Sequence, residues 1–130
     1  MLSKKIRKTI YCNSQKDASD MFHSMVYDKD REHFISVNMD ARNKAKSVNI
    51  ISIGTLNANL VHPREVFISA IKEKAAKIIV CHNHPSGSLE PSEADLELTK
   101  RLKDCGVLLG IEVMDHVIID GRGRYKSIEQ

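Results

Sequence analysis

The sequence predicts an α/β fold, a mixed sheet with helices packed on its faces. Three observations carry this. Strand-like and helix-like segments alternate through the middle of the chain. Hairpin patterns sit at both ends, around residues 32–55 and 107–127. Between two amphipathic helices lies KIIVCH, residues 77–82, a short apolar run of the kind that forms a buried central strand.

Residues 1–13 read as an arm or a first strand. Residues 15–29 place Ala18, Met21, Phe22, Met25 and Val26 at helical spacing behind Ser14, a fitting N-cap. Residues 32–39, EHFISVNM, are rich in strand formers, and residues 47–55 return as their hairpin partner across the turn at Asp40-Ala41-Arg42-Asn43. Pro63 opens a helix, PREVFISAIKEKAAK, because the first helical position has no use for the missing N–H. After the central strand comes HNHPSGSLEPSEAD, then a helix from about 92 to 105 with Ala94, Leu98, Leu102 and Cys105 on one side. VLLGIEVMDHVIIDGRGRYKS closes the chain as strand, turn, strand.

The 130 residues fit one domain, and no repeat, low-complexity segment or linker divides them. With 42% hydrophobic and 28% charged residues, the composition is that of a globular protein. No apolar run approaches the roughly 20 residues of a membrane span. The basic N-terminus lacks the apolar stretch of a signal peptide, so a cytoplasmic location is expected. Cys12, Cys81 and Cys105 are odd in number with no CxxC spacing, which predicts free thiols rather than disulfides or a thiolate metal knuckle. The net charge is +3, with clusters at Lys4, Lys5, Arg7, Lys8 and at Arg122, Arg124, Lys126. Such clusters can meet phosphates or simply be solvated, and the absence of Trp leaves few stacking platforms for single strands.

The chemistry gathers at residues 82–95. Along extended backbone His82 and His84 point the same way, while Cys81 and Asn83 point the other. Two imidazoles so placed can reach one metal ion. Pro85-Ser86-Gly87 turns the chain. Ser92 and Asp95 have the S-x-x-D form of a helix cap, and the same geometry aims Asp95 back toward the histidines, so capping and ligation are compatible. His-His-Asp is a donor set that zinc accepts while keeping a position for water. Hydrolysis would also need a base for that water, and Glu32, Glu65, Glu73, Glu90 and Glu93 are all candidates that periodicity does not separate.

His82-Asn83-His84-Pro85, six residues, then Ser92-Glu93-Ala94-Asp95 resembles the HxHP…SxxD signature of the JAMM (MPN-type, JAB domain) zinc metalloproteases. The RadC-like branch is the nearer likeness, through HNHPSG, PREVF at 63–67, PS-x-x-D at 91–95 and DHVIID at 115–120. The likeness spans roughly residues 20 to 128. It implies a three-layer α/β/α arrangement around a mixed β-sheet, the MPN/JAB-like architecture, akin to that of cytidine deaminases. The deaminases' own HxE and PCxxC motifs are absent. The resemblance also implies one zinc per chain on His82, His84 and Asp95. Ser92 would help stabilise an oxyanion, and Glu32 would be the base, with Glu65 as its rival. The implied reaction is hydrolysis of a peptide or isopeptide bond in a peptide or protein substrate.

RadC-like relatives are often longer, with an N-terminal helix-hairpin-helix module for which this chain has no room. A nucleic-acid-associated role, as binder or metal-dependent nuclease, is the second reading, supported by the basic ends. A third is an interaction module that keeps the fold without the chemistry, and the complete ligand set weighs against it. Strand edges at both chain ends suggest a homodimer. Asp115 and His116 either lie near the site or form a strand-end pair with a satisfied histidine, and the second, plainer reading is preferred.

Overall fold

The computed structural model describes residues 2–28, 30–54 and 61–128. Lys29 and Thr55, expected at the ends of the first helix and the second hairpin strand, lie outside them. In chain order the elements are β1 (Leu2–Lys5), α1 (Gln15–Met25), β2 (His33–Met39), β3 (Ala45–Ile53), α2 (Pro63–Lys72), β4 (Lys77–Asn83), α3 (Glu93–Leu109), β5 (Glu112–Ile119) and β6 (Tyr125–Ser127). They form one six-stranded mixed sheet in the order β1-β3-β2-β4-β5-β6. Among the described residues, only β4 and β5 run parallel, joined through α3. The first and last strands are the sheet's two edges.

The layers follow from strand alternation. Ile35, Val37, Ile79, Cys81, Val117 and Ile119 point to the face covered by α1, where Ala18, Met21 and Phe22 complete a core. Phe34, Ile78, Val80 and Val113 point to the opposite face, against Val66, Phe67 and Ala70 of α2 and Leu98 and Leu102 of α3. The expected three layers are present. The phase of β4 then decides where the site lies. His82 is in step with Val80 and emerges on the α2–α3 side, its ring stacked on Phe34 at 5.7 Å. Cys81 faces α1, as alternation predicts, and all three cysteines are free.

Several element ends differ from expectation. Helix α1 stops at Met25, because Val26 takes an extended conformation as its C-cap. Helix α2 stops at Lys72, and Lys74 turns the chain with φ 56°. Helix α3 runs one turn past Cys105, so Val107 to Leu109 are helical rather than the start of a strand. The helix expected to end at about 105 continues through Gly106, and its left-handed C-cap is Gly110, with φ 70°.

Gly106 has a different purpose. A Cβ there would lie 2.4 Å from the carbonyl oxygen of Ile111, so α3 and the entry to β5 pack closer than any side chain allows. The Gly106→Ala variant is expected to lose roughly 1–3 kcal/mol of stability by overpacking, despite alanine's better helix propensity. Urea denaturation at equal protein concentration reads this, and an unchanged or raised midpoint would refute the close-approach explanation.

Candidate metal centre

Strands β2 and β4 are antiparallel, with Phe34 opposite His82, so the start of one lies beside the end of the other. This juxtaposition brings Glu32, just before β2, to His82 near the end of β4 and His84 just after it. Ligand sites in α/β sheets commonly form at such strand ends. Glu32, His82 and His84 each offer a ligand atom, all within 4.8 Å of one another, and form a candidate metal-binding cluster.

Each side chain is held by local structure. His84 is followed by the turn at Pro85-Ser86-Gly87, in which the Gly87 N–H donates to the His84 carbonyl at 2.8 Å and Gly87 takes φ 82°. The turn returns the Ser88 carbonyl to 3.0 Å from His84 Nδ1. With that nitrogen donating, the Nε2 lone pair of neutral His84 faces inward, 3.1 Å from His82 Nε2. Asp95 is the third residue of α3. The Asp95 N–H donates to Ser92 Oγ at 3.0 Å, and the Ser92 N–H donates to Asp95 Oδ2 at 2.9 Å, a complete capping box. The same carboxylate places Oδ2 3.1 Å from His84 Nε2 and Oδ1 3.3 Å from His82 Nε2. Glu32 stands slightly farther off, its Oε1 4.0 Å from His82 Nε2.

Asn83 is braced against the segment that carries Glu32. Its Oδ1 accepts from the His33 N–H at 2.8 Å, and its Nδ2 donates to the Arg31 carbonyl at 3.1 Å. The backbone on both sides of Glu32 is thereby tied to the residue between the two histidines. Alternation shows only that Asn83 points away from them. That it meets a segment fifty residues earlier depends on the β2–β4 register.

His116 corrects the reading of Asp115 and His116 as a strand-end pair. The pair sits in mid-strand, and the β4–β5 register slips between Ile78 and Ile79 so that Val113 and Asp115 become successive partners of β4. Asp115 receives hydrogen bonds from the His116 N–H and from the Ser127 hydroxyl. His116 is fully buried on the α3 side, its Nε2 2.8 Å from His82 Nδ1 and its Nδ1 2.7 Å from Thr99 Oγ1. Thr99 carries no motif signal in sequence. The remaining carboxylate candidates stand elsewhere. Glu65 lines a groove between α2 and α3, Glu73 bonds Ser47 and Asn38, Glu90 pairs with Lys126, and Glu93 opens α3.

Burial and pairing set the protonation of the site. Burial pushes Glu32 up to about 7, against the pull of His84 and with the repulsion of Asp95. Burial alone would also raise Asp95, but when the ring nitrogens facing it carry protons, hydrogen bonds from His82 and His84 hold it well below the ordinary carboxylate range. The bond to Asp95 raises His84, while burial lowers His82 and, more strongly, His116. The result is a pair of imidazoles and a dependable anion converging on one point, with a carboxyl group that titrates near neutrality beside them.

That donor set fits a small divalent cation. Ligands about 2.0–2.1 Å from a tetrahedral zinc stand roughly 3.3–3.4 Å from one another. The separations here are 3.1 Å between the two Nε2 atoms and 3.1 and 3.3 Å to the Asp95 oxygens. Two inward ring lone pairs so close together repel unless a proton or a cation lies between them.

A mixed sheet between one helix and two, with a histidine–carboxylate cluster at the β2–β4 strand ends, is the architecture of a JAB/MPN-type domain. Residues 12–130 match the model of the RadC-like JAB domain, and the chain belongs to that family. It is 44% identical over 117 residues to a UPF0758 protein of Methanosarcina mazei, covering 90% of this chain and 51% of that protein. It is 43% identical over 128 residues to one of Staphylococcus haemolyticus, covering 98% and 56%. With one of Desulfitobacterium hafniense the identity is 46% over 118 residues, covering 91% and 52%. The chain thus spans about half the length of these curated relatives. Among the described residues, no helix is long and apolar enough to cross a membrane.

Proposed function

We propose that this domain is a zinc-dependent hydrolase of peptide or isopeptide bonds, with His82, His84 and Asp95 as metal ligands and Glu32 as general base. The observation that carries the proposal is the spacing of the four groups. Asp95 stands at co-ligand distance from both histidines. Glu32 stands just outside that closer set, its Oε1 4.0 Å from His82 Nε2. Zinc is chosen because two imidazoles and one carboxylate are its usual catalytic company.

When bound, zinc would bring the pKa of a water ligand to about 7 and polarise a carbonyl. The protein's own groups supply the rest. Glu32, with its affinity for protons tuned to neutrality by burial, accepts the proton of the attacking water and delivers it to the leaving amine. Asp95 stays ionised across the working range and offsets positive charge at the ligand nitrogens. Ser92 Oγ spends a lone pair on the Asp95 N–H, which leaves its own hydrogen to donate toward an oxyanion. His82 and Asp95 are almost fully buried, so these contacts act where water screens them little.

The nucleic-acid reading draws on Lys4, Lys5, Arg7 and Lys8, which line a groove beside α1 together with Asp17 and Asp20. In the second basic cluster Arg124 pairs with Asp120 and Lys126 with Glu90, which reduces its claim on phosphates. The hydrolase reading is tested by screening peptides and isopeptide-linked conjugates with zinc-loaded protein. Cleavage that stops on chelation and returns with zinc supports it. Salt-sensitive DNA binding without any chelator-sensitive cleavage would favour the alternative.

A further inference from the structure

We infer that His116 and Thr99 are positioning residues that hold one ring form and one orientation of His82. The inference rests on His82 being a metal ligand. It begins at the far end of a hydrogen-bonded chain, where no ambiguity exists. Thr99 Oγ1 lies 2.8 Å from the main-chain carbonyl of Asp95, one helical turn earlier, and a carbonyl only accepts. The threonine hydrogen is therefore committed, and Thr99 Oγ1 accepts from His116 Nδ1–H at 2.7 Å. Neutral His116 then carries a lone pair on Nε2, which accepts from His82 Nδ1–H at 2.8 Å. His82 is left with its Nε2 lone pair directed at His84 and Asp95.

Every link is buried. His82, His116 and Thr99 are 1%, 0% and 0% exposed, so water offers no substitute partner. Phe34 lies face to face with the His82 ring and edge-on to the His116 ring, closing the remaining side. The chain also links two ligands through matter other than a metal. It starts on the peptide group of Asp95 in α3 and ends on the ring of His82 in β4, crossing β5 on the way. A ligand histidine whose second nitrogen is held in this way keeps its orientation and gains basicity. The register slip in β5 is what sets His116 opposite Val80 and into this chain.

The test is the zinc dissociation constant, from competition with a chromogenic chelator, together with the visible spectrum of the cobalt-substituted protein. His116→Leu is expected to weaken zinc by roughly 10–100-fold and to shift the cobalt bands, with one site still filled at saturation. His116→Gln is expected to recover most of the affinity, since its Oε1 can accept from His82 Nδ1–H. Thr99→Val should fall between, and Thr99→Ser should match the parent protein; this pair keeps the test open if His116→Leu does not fold. Wild-type affinity and spectrum in folded His116→Leu or in Thr99→Val, or equal loss in the Gln and Leu variants, would overturn the inference. His82→Ala separates the two levels. If it leaves zinc affinity unchanged, the metal reading fails; if it abolishes binding while folded His116→Leu keeps the parent affinity and spectrum, only the positioning role fails.

Discussion

Zinc-loaded protein carrying Glu32→Gln is expected to keep its metal and to lose hydrolysis by roughly 100- to 10,000-fold, the usual contribution of a positioned general base. Glutamine preserves the size of the side chain and the clamp of Asn83 on the flanking backbone, since that clamp uses only main-chain groups of residues 31 and 33. What it removes is a carboxylate that exchanges protons near neutrality. Two outcomes would go the other way. Full activity in the variant would remove Glu32 from the mechanism. Loss of the metal would make Glu32 a ligand, a role its place in one cluster with His82 and His84 also permits.

Asp95→Ala is expected to have two effects at once, and Ser92→Ala only one of them. The Asp95 carboxylate joins the capping box to the His82–His84 pair. Its removal should cost about 1 kcal/mol of stability through the cap and also abolish stoichiometric zinc. Ser92→Ala removes the acceptor of the Asp95 N–H and should lower stability by a similar amount while leaving zinc in place. Thermal unfolding of metal-free protein and elemental analysis of loaded protein read the two effects separately. Full zinc occupancy in Asp95→Ala would reduce the residue to a helix cap.

The shared orientation of His82 and His84 was legible in sequence because period-two alternation is a local rule. It puts His82 and His84 on one side of β4 and Cys81 on the other, where they are found. The S-x-x-D cap was legible for the same reason, since its geometry involves four successive residues. Choosing Glu32 among five glutamates was not possible from periodicity, because its closeness to His82 depends on the pairing of β2 with β4. His116 was placed at a strand end because the register slip in β5 has no signal of its own, and Thr99 reads only as a helical threonine. Helix ends were lost where one glycine, Gly106, marks a close approach and another, Gly110, marks the stop.

Whether residues 82–95, with Glu32, form a metal centre is read most directly from zinc content by elemental analysis of the zinc-loaded protein and of its His82→Ala/His84→Ala variant. About one zinc per chain is expected in the first and almost none in the second, with both folded. Substoichiometric metal in the parent protein after loading, or equal metal in both, would contradict a metal centre at these residues.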